Sequence, residues 1–517
     1  MAVAGAVALT GCASGGAGQA QQRGGISGPV GSQPDAEDIQ TGGTLTFGTF
    51  NLPAVLDPAK TVPSGSTGGT EMAAVYDLLM RYDDMAGEFV PQLAEALEAS
   101  EDGKTWTLTL REGARFSNGE PVDAEAVVWS IERYVANRGS DSQLWSSSVE
   151  SMTANNPRTV VFVLGKPWLT FPNMLATGPG MIVAKQAVDG ESFTPIGAGP
   201  FTLEAHKPNE EILLERRADY WSGPAHLDAV RIIPAADGRQ QLDMFRAGEI
   251  QLAFLYDAQI AAEVADAGYP GVLSVMNAGS AILINNAEGR PGSDIDVRRA
   301  IDLAVDPVLI DERGQGGMGR PSTALFSSAS QWDSGAPQSR YDPEEARMLV
   351  AAAKAKGFDG KITFVTRQAP EAQARALAIQ SMLNNVGFDL TVDYVTSVTD
   401  MVRVMYVERN YDLGQTGLNI RESAPFLKLY SSFHSESNGN VSGYSNPQMD
   451  ALLDRLQAAT DVAAESALIG EIEQLAADTV PTVPVSAQDN LVIWQENVHG
   501  VQHTFADIVL LGDAWIA

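Results

Sequence analysis

Cysteine is nearly absent: Cys12 is the single one in 517 residues, and it stands at the extreme N-terminus. That excludes a disulfide framework, a cysteine metal centre and thiol chemistry in the folded body, so stability must come from packing. Histidine is sparse, with five residues at His206, His226, His434, His499 and His503. Only the last two are close, at i and i+4, and Gly500 between them argues against a helix presenting both to one metal. Basic residues are outnumbered, 34 against 65 acidic, for a formal charge of -31. Such a field disfavours nucleic acid and anionic membrane surfaces. The acidic excess either solvates the surface or lines a cleft that gathers cationic solutes, and composition leaves both open.

Catalytic motifs are missing as well. No G-x-S-x-G, S-x-x-K or H-E-x-x-H occurs, and Gly103-Lys104-Thr105 has Glu98 where a phosphate-binding loop requires its leading glycine. One G-x-G-x-x-G, Gly314 to Gly319, follows a helical pattern and runs into Arg320-Pro321, which reads as a surface loop and not a dinucleotide site. Adjacent carboxylates such as Asp83-Asp84, Glu210-Glu211 and Glu344-Glu345 diverge on any regular element and read as solvated. No catalytic residue, metal ligand or cofactor is assigned, and the motif search gives no support for an enzyme. A secreted hydrolase with an unrecognised site is the rival from another class.

What is present begins with an apolar run, Ala2 to Thr10, too short to span a bilayer and closing on Leu9-Thr10-Gly11-Cys12. That tetrad resembles a bacterial lipobox, which would make Cys12 the lipidated first residue of the mature protein. Stable anchoring takes more than one acyl chain, each buried methylene contributing about 0.8 kcal/mol. No Lys or Arg precedes Cys12, the first basic residue being Arg23, which suggests a start site placed too far downstream. From Ala13 to Gly43 the chain is rich in Gly, Ala, Ser, Gln and Pro and reads as a flexible tether.

The body, with 44% hydrophobic residues over the whole chain, is large enough for two or three lobes. Thr44 to Phe50 alternates at strand period, and Thr70 to Met80 carries Met72, Val75, Leu78 and Leu79 at helical spacing. Trp106, Leu108 and Leu110 face one way in a strand, Asp123 caps a helix carrying Val127, Val128 and Ile131, and Thr159 to Leu164 is a more buried strand. Val297 to Ile310 reads as a helix. Lys361 to Thr366, Glu371 to Val386 and Phe388 to Tyr394 read as strand, helix and strand, with Gly387 stopping the helix. Thr399 to Arg409 is the next helix.

Several segments in collinear order resemble the large bacterial extracellular solute-binding proteins of family 5, the dipeptide and oligopeptide binders of ABC importers. They are Leu56-Asp57-Pro58, Val75 to Leu79, the block Pro91 to Arg133 (PQLAEALEASEDGKTWTLTLREGARFSNGEPVDAEAVVWSIER), Pro195 to Phe201, Tyr220 to Gly223, Ala247 to Ile250, Asp296 to Asp306, Gly443 to Leu453 and Pro481 to Val485. The resemblance implies an α/β, periplasmic-binding-protein-like bilobal clamp of type II with an extra subdomain in the N-terminal lobe. The expected divisions are a signal at 1–12, a tether at 13–43 and an N-terminal lobe at 44–286 with the subdomain at about 76–190. A second lobe follows at 287–484, and the chain returns to the first at 485–517. Hinge strands are expected near Ile282 to Asn286 and Val483 to Asn490.

The resemblance further implies a monomer, tied to the membrane only through its lipid, that closes on a small molecule, foremost a short peptide, and delivers it to an ABC permease and ATPase complex. Gly417 to Leu427 (GLNIRESAPFL) departs from the family. Peptide binders carry an aspartate here for the peptide's amine, and matching at Phe426-Leu427 puts Asn419 in its place. Asparagine accepts from an ammonium without supplying charge. Arg421 is then a candidate for a solute carboxylate, or an ion-pair partner of Glu422. Further candidates are Ser66 and Thr67 in a loop of the first lobe, Arg367 at a strand end, and Trp332 and Trp494 for stacking. A nickel chelate, a sugar or an opine is the alternative ligand.

Overall fold

The computed structural model describes residues 27–517 except 36–37, 236 and 337. Cys12, the signal stretch and the first part of the tether lie outside the described residues. Two strands dominate, Gly271–Ile284 and Thr482–Trp494, 14 and 13 residues long, where five or six is ordinary. They pair antiparallel and serve two half-sheets in turn. On one side Leu252–Leu255 pairs with Leu491–Trp494, followed by Thr44–Thr49, Ala229–Pro234, Glu211–Arg216 and Phe201–Lys207. On the other, Leu413–Thr416 pairs with Ala281–Ile284, followed by Lys361–Arg367 and Asp389–Val395.

The passage between the halves is a local break in the ladder. Register slips between Met276 and Ser280, and Ala278 takes the left-handed conformation at φ 45°. The crossing thus lies upstream of the expected Ile282 to Asn286. Ile282 and Ile284 are buried with Val297, Ile301, Phe364 and Leu383, so they belong to the core of one lobe and not to a bend between two. A separate cluster, including Leu242, Phe245, Leu255, Leu491 and Ile493, fills the space behind the other half-sheet.

Between the first strand and Phe201 the chain builds a four-stranded antiparallel sheet from Ala94–Ala99, Thr105–Leu110, Thr159–Leu164 and Val149–Asn156. Its inward residues Trp106, Leu108, Leu110, Val160 and Phe162 are buried at strand alternation. Asp123 caps the helix Ala124–Ala136 by accepting from Ala126 N at 2.9 Å.

Three local readings change. The helix near Thr70 spans only Gly69–Tyr76, because Asp77 adopts φ 61° and turns the chain into the strand Met80–Asp83. The pattern at Val297 to Ile310 is two helices, Ile295–Ala304 and Pro307–Gln315, since Pro307 cannot donate to a helix arriving from upstream. Within the stretch read as tether, Gly28–Val30 forms a strand against Gly271–Leu273. Its backbone satisfies a sheet edge, and Val30 packs against the cluster of Leu242, Phe245 and Ile493.

The lobes meet across a closed seam. Helix Pro425–Phe433 brings Phe426 edge-on to Trp168 of the subdomain, ring centroids 5.6 Å apart. Gln457 donates to the Ser148 hydroxyl at 2.8 Å, Lys166 pairs with Asp454 at 2.7 Å, and Gln143 accepts from Asn438 N at 2.6 Å.

Candidate ligand cleft

Beside the crossing strands the seam borders a partly open cavity of about 230 Å³. Tyr82 and Asp84 line it from one side and Arg421 and Glu422 from the other, with Met276 on the crossing strand and Phe505 on the returning chain. The segment Gly417 to Ile420 reaches it by lying on the break in the long strand: Leu418 N donates to Ala278 O at 2.9 Å, and Asn277 and Ile420 exchange backbone bonds. A Cβ on Gly417 would stand 2.2 Å from the Gly279 carbonyl oxygen, so only glycine permits this approach.

Arg421 does not pair with Glu422. Its Nη1 meets Asp507 Oδ2 at 2.9 Å, and Asn490 donates to the same oxygen at 2.9 Å. Glu422 instead accepts from Asn277 through its carboxylate and from the Trp332 indole N–H, at 2.8 Å, through its carbonyl. His503 is buried between two carboxylates, with Nδ1 2.7 Å from Asp84 and Nε2 3.4 Å from Asp507 Oδ1. Burial pulls the imidazole's pKa down, but Asp507 and Asp84 outweigh it and hold it at about 9. Burial likewise pushes the Asp507 carboxyl up, and the charges of Arg421 and His503 bring it well below the ordinary carboxylate range. His503 and Asp507 are therefore both ionised at neutral pH.

The loop carrying Ser66 and Thr67 supports the same network. Gly65 N donates to Ala506 O at 2.9 Å, and a Cβ there would fall 1.9 Å from the Asp507 carbonyl oxygen. Its hydroxyls are engaged within the loop: Ser64 Oγ bonds Thr67 at 2.8 Å and Ser66 at 3.2 Å, and Thr67 donates to Val62 O at 2.5 Å.

The remaining candidates separate. Asn419 is exposed at φ 55°, and its side-chain amide has no hydrogen bond among the described residues. Arg367 is exposed on a different stretch of the seam, beside the Tyr256 hydroxyl. Trp332 is buried and its N–H is committed to Glu422, so it supports the cavity wall from behind. Trp494 corrects the expectation of stacking, for its ring is buried and its N–H donates to Gln33 at 2.5 Å, away from the cavity. His503 and Asp84 were missed, Asp84 having been read as half of a solvated pair. The usable signal was His503 and Asp507 four apart, but spacing alone does not bring Asp84 to them from 419 residues upstream. His499 stacks on Trp515 at 4.5 Å and does not join His503. Among the described residues no group of His, Cys, Asp and Glu is placed to hold a metal ion.

Two α/β lobes joined by crossing strands and meeting beside a cleft define a clamp-type binding protein. The family model for bacterial extracellular solute-binding proteins, family 5, matches residues 88–440, and the chain belongs to that family. It is a solute-binding protein of the ABC-importer type, not an enzyme. Protein XP55 of Streptomyces lividans is 27% identical over 471 residues, covering 87% of this chain and 84% of its own. The periplasmic murein peptide-binding protein MppA of Escherichia coli K12 is 25% identical over 483 residues, covering 85% and 86%. The fold also matches the ABC transporter-associated periplasmic binding protein DppA of Helicobacter pylori in complex with the peptide STSA. There the TM-score is 0.78 at 22% identity, over 92% of this chain and 98% of that one.

Proposed function

We propose that this protein captures a short peptide outside the cytoplasm and presents it, lobes closed, to an ABC permease and ATPase complex. It works as a monomer held to the membrane by a lipid on Cys12. The closed seam over the cleft carries the reading, since a ligand that binds the closed state better shifts the population toward the form a transporter can recognise. Peptide as the ligand is supported by the murein peptide-binding relative and by the peptide in the structural neighbour. Asn419, where peptide binders carry an aspartate, favours a second reading: a solute without a free amine, such as a sugar or a nickel chelate, or an opine.

Thermal unfolding against separate panels of di- to pentapeptides, sugars, opines and nickel chelates decides between them. A ligand at 100 times its Kd stabilises by about 2.7 kcal/mol. A shift with peptides alone is expected, and a shift only with another panel replaces peptide as the cargo. Chemical turnover of a stabilising ligand would contradict a binding role. For the anchor, Cys12→Ala in the full precursor is expected to move the protein from the membrane fraction to the soluble one.

A further inference from the structure

The N-terminal segment and the candidate cleft share a wall. Over Gly271 to Met276 the long strand pairs on one side with Thr482–Trp494. Its other edge is covered there by Gly28–Val30 alone among the described residues, in the antiparallel register Gly28 to Leu273 and Val30 to Gly271. Further contacts fix this segment at both ends. The Ser27 hydroxyl accepts from Val275 N at 2.9 Å. Gly31 turns the chain at φ 68°, where a Cβ would stand 2.0 Å from the Tyr269 carbonyl oxygen. Gln33 accepts from the Trp494 indole at 2.5 Å and donates to the Glu496 carbonyl at 2.9 Å. Ordering a residue costs about 1–2 kcal/mol of backbone entropy, and these bonds are what offsets it here.

The place of the segment gives it a role. Val275 adjoins Met276, where the register of the crossing strand slips, and Ser27 and Gly28 line the cavity that Tyr82, Arg421 and Asp507 also line. The stretch expected to be a free tether up to Gly43 is thus docked from Ser27 to Gln33, on the rim of the cleft. We infer that Ser27 to Gln33 is a strap that completes the ligand cleft, so that affinity for the solute depends on the strap being docked. The inference rests on the cavity being the ligand site and not on the solute being a peptide. By linkage, a bound solute holds the strap in place as strongly as the strap holds the solute.

The test uses the full chain and two variants. Gly31→Val drives a side chain against the Tyr269 carbonyl and releases the strap without replacing a residue of the cavity, and Ser27→Gly removes only the acceptor for Val275 N. Hydrogen exchange without solute reads docking, and residues 271–275 are expected to exchange about tenfold faster in Gly31→Val than in the wild type. Equal exchange in the two overturns the strap. Calorimetric titration with alanine peptides of two to five residues, glucose, octopine and the nickel-histidine complex reads the wall. The probe that binds the wild type should bind Gly31→Val about fivefold or more weakly and should slow exchange at 271–275 in the wild type. Release of the strap with affinity unchanged overturns its place in the cleft and leaves the proposed function standing. If no probe binds the wild type, the cleft and the strap's part in it fall together. Should Gly31→Val fail to fold, Ser27→Gly and the wild-type exchange decide, and exchange at 271–275 that is indifferent to a bound probe overturns the inference.

Discussion

The group of Arg421, Asp507, His503 and Asp84 borders the same seam as Lys428, on helix Pro425–Phe433, and Asp141 of the subdomain, but the two sets differ in what surrounds each charge. In the first, every ion meets an opposite one at 2.7 to 3.4 Å. In the second, both groups are half-buried and neither makes an ion pair among the described residues. Burying a charge is costly unless another charge or a set of hydrogen bonds compensates it. A compensated ion is part of the framework, whereas an uncompensated one favours whatever brings the missing charge. An arginine in a cleft is therefore not by itself a ligand anchor.

The sharpest way to break this comparison is Arg421→Ala, which leaves Asp507 buried with less compensation. Removing one partner of a buried pair costs about 3–5 kcal/mol, so the urea midpoint should fall steeply. An Arg421→Ala protein of unchanged stability would show that this pair is not part of the framework.

His503 gives the next largest effect, and it depends on pH. The imidazole rises from an ordinary 6.5 to about 9 in the fold. Its contribution is full below pH 6.5 and is lost as pH rises through about 9, amounting to roughly 3 kcal/mol at 1.36 kcal/mol per unit. Urea midpoints at pH 6 and pH 9.5 should fall for the wild type and change much less for His503→Gln. Equal slopes in the two proteins would show that the network does not hold this proton. Asp507 acts at the opposite end, its depressed carboxyl adding stability above the ordinary carboxylate range that disappears on acidification.

Smaller effects separate support from contact. Trp332→Phe removes the bond to the Glu422 carbonyl and should cost about 1 kcal/mol, with peptide affinity unchanged by titration. Ser66→Ala, a residue whose hydroxyl bonds only Ser64 among the described residues, should move the thermal midpoint by an amount corresponding to about 0.5 kcal/mol or less. A large loss of affinity in that variant would return the loop to the ligand site.

Local features were legible where local chemistry decides them. The cap at Asp123, the strand with Trp106, Leu108 and Leu110 facing inward, and Gly387 at φ 106° after the helix Pro370–Asn385 all follow from nearest neighbours. The hinge position was displaced because alternation marks a strand without marking where it leaves one core for another; the slip at Met276 to Ser280 is visible only against Thr482–Trp494. Trp494 was misjudged for a similar reason, its partner Gln33 lying in a segment whose composition resembles a linker. Asp84 looked solvated beside Asp83, yet Asp83 remains at the edge of a turn while Asp84 reaches His503.

By itself the sequence determined the family, the strand and helix periods, the shortage of cysteine and the exchange of an aspartate for Asn419, since these are properties of residues and their order. Tertiary structure decided which charges are compensated. Arg421 and Asp507 are 86 residues apart, and Asp84 and His503 are 419 apart. Coulomb energy depends on separation and burial in space, so only the folded chain distinguishes an arginine locked into the framework from a lysine that makes no ion pair.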